Sequence, residues 1–172
     1  MKTRRSLWMV VVVFLLVSFL LPAVGAAAQS AVRVPVVVYE YLDSHEEGEV
    51  TFPGGNYHER GAMHATTEMS VNSCLNGPGF IEYKINANKN GHVYAGGTWV
   101  IEVEDYDGSW EMVWHVTTKM PITAIGQGTG EFEGIQIKLT ETAFDEEENS
   151  DADLKFVGEL LVPPHAQGQC VE

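Results

Sequence analysis

His58, His64, His92 and His115, with Glu59 and Glu68, are the side chains whose types could bind a metal or move a proton. A zinc site needs three or four ligands converging on one point. His58-Glu59 followed by His64 puts two histidines six residues apart, which is not the helical H-E-x-x-H arrangement. These histidines therefore read as surface or hydrogen-bonded groups, and no metal is expected. In the acidic run from Asp145 to Asp153, the residues Asn149, Asp151 and Asp153 have the spacing of the first ligands of a calcium loop. The turn glycine and the closing glutamate of such a loop are both missing, so a solvated loop is the better reading. Gly126-x-Gly128-x-Gly130 has neither dinucleotide spacing nor the Gly-Lys-Ser/Thr end of a phosphate loop. No cofactor is expected. No Ser-His-Asp or Cys-His arrangement can be assembled either, which weighs against an enzyme.

The aromatic residues form the more informative constellation. Trp99, Trp110, Trp114, Tyr83 and Phe132 fall on apolar faces of their segments and could converge. Aromatic rings dominate core energetics, so a packed interior is the favoured reading. The competing reading is an apolar ligand pocket, with His115, Glu82 or Arg60 supplying a polar contact. Acid–base chemistry there would require a buried carboxyl or imidazole with a displaced pKa.

Positioning these rings falls to strands. From residue 29 onward no segment has helical periodicity; short β-branched and aromatic runs alternate with Gly, Asn and Asp turns. Strands are expected at Val32–Leu42, Val50–Phe52, Tyr57–Val71, Phe80–Ala87, Thr98–Asp105, Ser109–Thr117, Pro121–Gly126, Ile135–Leu139 and Leu154–Val162. Pro35 cannot donate to a central ladder, so the first of these is expected to be an edge strand or a partly free arm. A bulge is expected near Gly61. Another at Gly134 would explain the parity change between Phe132 and Ile135. The clearest hairpin turns at Tyr106-Asp107-Gly108. It sets Trp99, Ile101, Val103, Trp110, Met112 and Trp114 on one face and Glu102, Glu104 and Glu111 on the other. The expected fold is all-β: a small closed antiparallel barrel of about eight strands, with a β-sandwich as the alternative.

The first 28 residues read as a signal peptide. Lys2, Arg4 and Arg5 precede an apolar run to Leu21, and Ala26-Ala27-Ala28 resembles a cleavage site. Residues 29–172 then form a single domain with no membrane segment, secreted to the extracellular or periplasmic side. Loss of three basic and no acidic residues takes the net charge from −14 to −17. Such a surface repels phosphate backbones, which excludes nucleic acid as a partner. The two cysteines, Cys74 and Cys170, are expected to pair, tying a central loop to the C-terminal tail.

Gly96-Gly97-Thr98-Trp99, Gly108-Ser109-Trp110-Glu111 and Gly126-x-Gly128-Thr129-Gly130-Glu131-Phe132-Glu133-Gly134-Ile135 follow one another in an order that resembles exported bacterial proteins with an allene oxide cyclase/dirigent-like β-barrel. His58-Glu59-Arg60-Gly61 and Val157 to Pro163 fit the same pattern. The resemblance implies a barrel. Cyclase and dirigent activities do not carry over, because no residue here matches those families' catalytic acidic or arginine positions. The expected function is therefore an exported, non-enzymatic barrel that binds a small apolar ligand or an extracellular partner. Two alternatives are an isomerase or cyclase acting on a hydrophobic substrate and a structural cell-surface protein.

Overall fold

The computed structural model describes residues 30–144, 151–168 and 170. The expected signal peptide lies outside the described residues, as does most of the Asp145–Asp153 loop. The described chain is an all-β, closed antiparallel barrel of eight strands with a ninth short strand outside it.

The strands are β1 (Val32–Glu46), β2 (Glu49–Thr51), β3 (Tyr57–Ser70), β4 (Gly77–Ala87), β5 (Val93–Glu102), β6 (Ser109–Thr117), β7 (Met120–Gly128), β8 (Gln136–Thr142) and β9 (Leu154–Val162). From β3 to β9 each strand pairs with its successor in a meander. β1 closes the barrel by pairing with both β9 and β3, and β2 adds to the edge of β3. Closure leaves no long unpaired edge.

β1 is not an edge strand along its whole length, but its first residues fit the second expectation, an arm paired on one side only. Pro35 lies opposite Glu159 of β9, but the ladder to β3 begins only at Val38, opposite Ser70. The proline occupies a stretch with one neighbour, so its missing N–H interrupts nothing on the β3 side. Gly61 is the bulge expected within β3: the register with β4 shifts between Arg60 and Ala62, and φ of +71° there suits glycine. The parity change near Gly134 has a different origin. β7 ends at Gly128 and a 3-10 turn over Gly130–Phe132 follows before β8 begins, so a connection, not a bulge, resets the face.

Inward side chains alternate in size around the barrel. One hydrogen-bonded row runs Ala62, Tyr83, Gly97, Trp114, Ala124, Leu139, Gly158 and Val36, large beside small. A narrow eight-stranded interior cannot seat large rings on adjacent strands, and small neighbours give each ring its volume.

The two ends of the barrel differ. At one end Trp110 stacks on Phe132 with centroids 5.2 Å apart, and both are fully buried. The Trp110 indole N–H donates to the Cys74 carbonyl at 2.7 Å. Cys74 and Leu75, in a 3-10 turn between β3 and β4, close this end together with Ala166 from the C-terminal tail. The Cys74–Cys170 disulfide joins turn and tail, as expected, across 96 residues. The bridge suits an oxidising compartment. Its constraint on the unfolded chain stabilises the fold by about 4 kcal/mol for a loop of this length. Cys74→Ser with Cys170→Ser is expected to lower the unfolding free energy by about 2–5 kcal/mol in denaturant titrations. An unchanged midpoint would mean that the plug holds without the bridge.

Candidate functional site

The opposite end is hollow. A cavity of about 260 Å³ is lined by Ile81, Ile85, Ala95, Ile122, Leu154 and Phe156 and by the rings of Trp99, Trp114 and Tyr83; its polar members are Glu40 and His64. It lies against half-buried residues at the mouth, His64, Tyr83 and Ile85. Its volume matches roughly nine water-sized groups, the small end of known ligand pockets.

Each element supplies its part through strand alternation. Val34, Val36 and Val38 point inward from β1, and the same parity carries Glu40 into the interior, where it is 5% exposed. β3 supplies His64, Thr66 and Glu68 from one face, and Glu68 is 1% exposed. In the β1–β3 ladder Glu40 stands directly opposite Glu68, so the closure of the barrel places two buried carboxyl groups side by side.

Glu68 is partly satisfied. One of its oxygens accepts from the Thr66 hydroxyl at 2.7 Å and from the Trp99 indole N–H at 3.2 Å. Gly79 makes room for this network, since a Cβ there would lie 2.6 Å from the Glu68 oxygen and collide with the Thr66 hydroxyl. The second Glu68 oxygen, one Glu40 oxygen and the Trp114 indole N–H are buried without a hydrogen-bond partner among the described residues. Leaving such groups unpaired is costly, and they mark where a ligand's polar atoms would be rewarded.

Burial and like charge raise both acids. Desolvation, with Asp153 and Glu141 nearby, pushes Glu40 up to about 7. Desolvation and the neighbouring Glu40 push Glu68 to about 9, against the lowering effect of its two hydrogen bonds. At neutral pH Glu68 holds its proton and Glu40 sits near its midpoint, because two adjacent buried carboxylates cannot both be charged cheaply.

A polar cluster borders the mouth. The Tyr83 hydroxyl lies 2.9 Å from His64 Nε2 and 3.4 Å from His45 Nδ1, and the two imidazoles meet edge to face at 4.6 Å. Burial and the neighbouring His45 lower the His64 pKa. Burial and Glu59 raise that of Tyr83. Nearby, Glu59 accepts from the Tyr57 hydroxyl at 2.7 Å and from the Gly48 N–H at 3.1 Å, and the tyrosine hydrogen bond chiefly holds it below the usual carboxylate range.

Of the five rings named from sequence, the structure brings Trp99, Trp114 and Tyr83 together on the cavity wall. Trp110 and Phe132 belong instead to the packed plug end. His115 projects from the outer face of β6, exposed, 3.2 Å from the Thr123 hydroxyl, and does not face the cavity. Glu82 and Arg60 are also exposed. Glu40 and His45 were not anticipated as site residues, and Glu68 and His64 were named for their chemistry but not as neighbours of the aromatic rings. The parity of Val36, Val38 and Glu40 carries the signal for the first. No group of three or more potential metal ligands occurs among the described residues. Asp153, from the acidic loop, accepts the Leu42 N–H at 2.7 Å.

Comparison with protein-family models, curated proteins and solved structures finds no match.

The raised carboxyl of Glu68 has a consequence for stability. The folded state keeps a proton that the unfolded chain releases near its ordinary value of 4.5, so this contribution is fully present below that pH and declines as pH rises through about 9. Glu68→Gln is expected to match the parent in stability at pH 5 and to exceed it by about 1–3 kcal/mol at pH 8.5 in urea unfolding. A difference that is constant across this range would show that Glu68 is ionised in the fold.

Proposed function

We propose that this chain is an exported, non-enzymatic barrel that holds one small apolar ligand in its open half. The observation that carries the reading is the cavity beneath Trp99 and Trp114. Its walls are almost wholly hydrocarbon and aromatic, yet it meets one buried acceptor on Glu40 and one buried donor on Trp114 that lack partners among the described residues. An apolar enclosure with a few fixed polar groups is the usual chemistry of small-molecule recognition. Supporting export are the basic and apolar N-terminal run, the small-residue site at Ala26–Ala28, the strongly acidic composition and the disulfide.

The Glu40 carboxyl favours a second reading, an isomerase or cyclase on a hydrophobic substrate. A carboxyl titrating close to neutrality can both accept and return a proton, and its neighbour Glu68 would hold a second. Glu40→Gln tests this second reading, since only an enzyme has a turnover to lose with the carboxyl.

Titration with 2-phenylethanol, followed by tryptophan fluorescence and thermal shift, is expected to saturate at one equivalent and to raise the melting temperature. Ala95→Leu puts three carbons into the cavity and should weaken this binding at least about tenfold while leaving the fold intact. Equal binding by parent and variant, or none by either, would sink the pocket reading.

A further inference from the structure

Three features of the cavity bear on the charge of its ligand. The first is the Glu40 carboxyl, 5% exposed, which lines the cavity with one buried oxygen lacking a hydrogen-bond partner among the described residues. The second is what surrounds that carboxyl: Glu68 stands opposite on β3, and Glu141 of β8 and Asp153, just before β9, both act on it with negative charge. The other titratable groups on the cavity wall are His64, whose charged form is disfavoured, and Tyr83. The third is the set of aromatic rings: Trp99 lies against Phe156 at 5.0 Å, Tyr83 against Trp114 at 6.2 Å, and all four line the cavity.

We propose that the ligand is a small organic amine, bound as its ammonium ion with the charge at Glu40 and its apolar body among Trp99, Trp114, Tyr83 and Phe156. The proposal rests on the pocket reading above and adds the ligand's charge. A cation supplies what no described residue gives Glu40: a counter-charge and a donor to its second oxygen. Aromatic faces attract cations through their ring quadrupoles, and the attraction grows where water is excluded. An anion would meet the Glu40 carboxyl on the wall, with Glu68, Glu141 and Asp153 around it. A neutral ligand would leave Glu40 facing its acidic neighbours unaided. The net charge of −17 expected after loss of the basic N-terminus also draws cations toward the barrel. An oxygen on the amine's apolar body would give the Trp114 indole N–H its acceptor.

The test compares three probes of similar shape on the full barrel at pH 8: 2-phenylethylamine, 2-phenylethanol and 3-phenylpropanoate. Calorimetry is expected to show the amine binding at least about tenfold more tightly than the alcohol, with the propanoate weakest. Glu40→Gln keeps the shape of the side chain and removes its charge, so the amine-to-alcohol ratio should fall to about one while alcohol affinity changes little. The inference is overturned if the alcohol or the propanoate binds as tightly as the amine, or if the amine's preference survives Glu40→Gln. In those outcomes the pocket still stands. Failure of all three probes to bind overturns the inference and the pocket together.

Discussion

The pairing of β1 with β3 is the constraint on which the remaining features depend. Without it the chain would be a seven-stranded meander from β3 to β9 with open flanks. With it the sheet closes, the interior is bounded on all sides, and Glu40 is fixed opposite Glu68. A carboxyl pair at a closure seam is not what stability alone would select, since well-packed apolar residues of similar volume serve as well or better. The network around Glu68, with Thr66 and Trp99 donating and Gly79 giving space, shows that the surroundings are shaped to accommodate it.

The barrel divides its interior between two tasks. The plug end is dense: Trp110 and Phe132 are stacked, the indole is anchored to the Cys74 carbonyl, and the disulfide ties turn to tail. The mouth end is loose, with small residues beside large rings and, among the described residues, unpartnered polar atoms on its wall. Rigidity at one end lets the other hold an open shape, because close-packed elements transmit position with little give.

Much of this was legible in the sequence because strands encode faces with a period of two. The alternation of Trp99, Ile101 and Val103 against Glu102 and Glu104 marked the buried face of the central hairpin, and Gly61 marked the bulge of β3. The same periodicity hid the site. Carboxylates are expected outside, so Glu40 in the run Val34, Val36, Val38, Glu40 passed for the polar end of a strand, although its parity placed it within. Glu68 had no apolar neighbours of its own parity to betray it. His45 was reversed by an irregularity between Leu42 and Ser44, which turned it toward His64. Which tryptophans line a cavity and which fill a core depended on the tail that plugs one end, a long-range contact that no local pattern records.

Two inward-facing carboxyl groups, Glu40 and Glu68, share an environment poor in water at the centre of this structure. Carbon-13 NMR of the glutamate side-chain carboxyls, followed from pH 3 to pH 10, tests this directly. The account predicts two resonances that titrate far above the remainder, near neutrality and higher, each responding to the other's ionisation, and both assigned by substitution to Glu40 and Glu68. Titration of both groups with the surface carboxylates, at about pH 4, would contradict it.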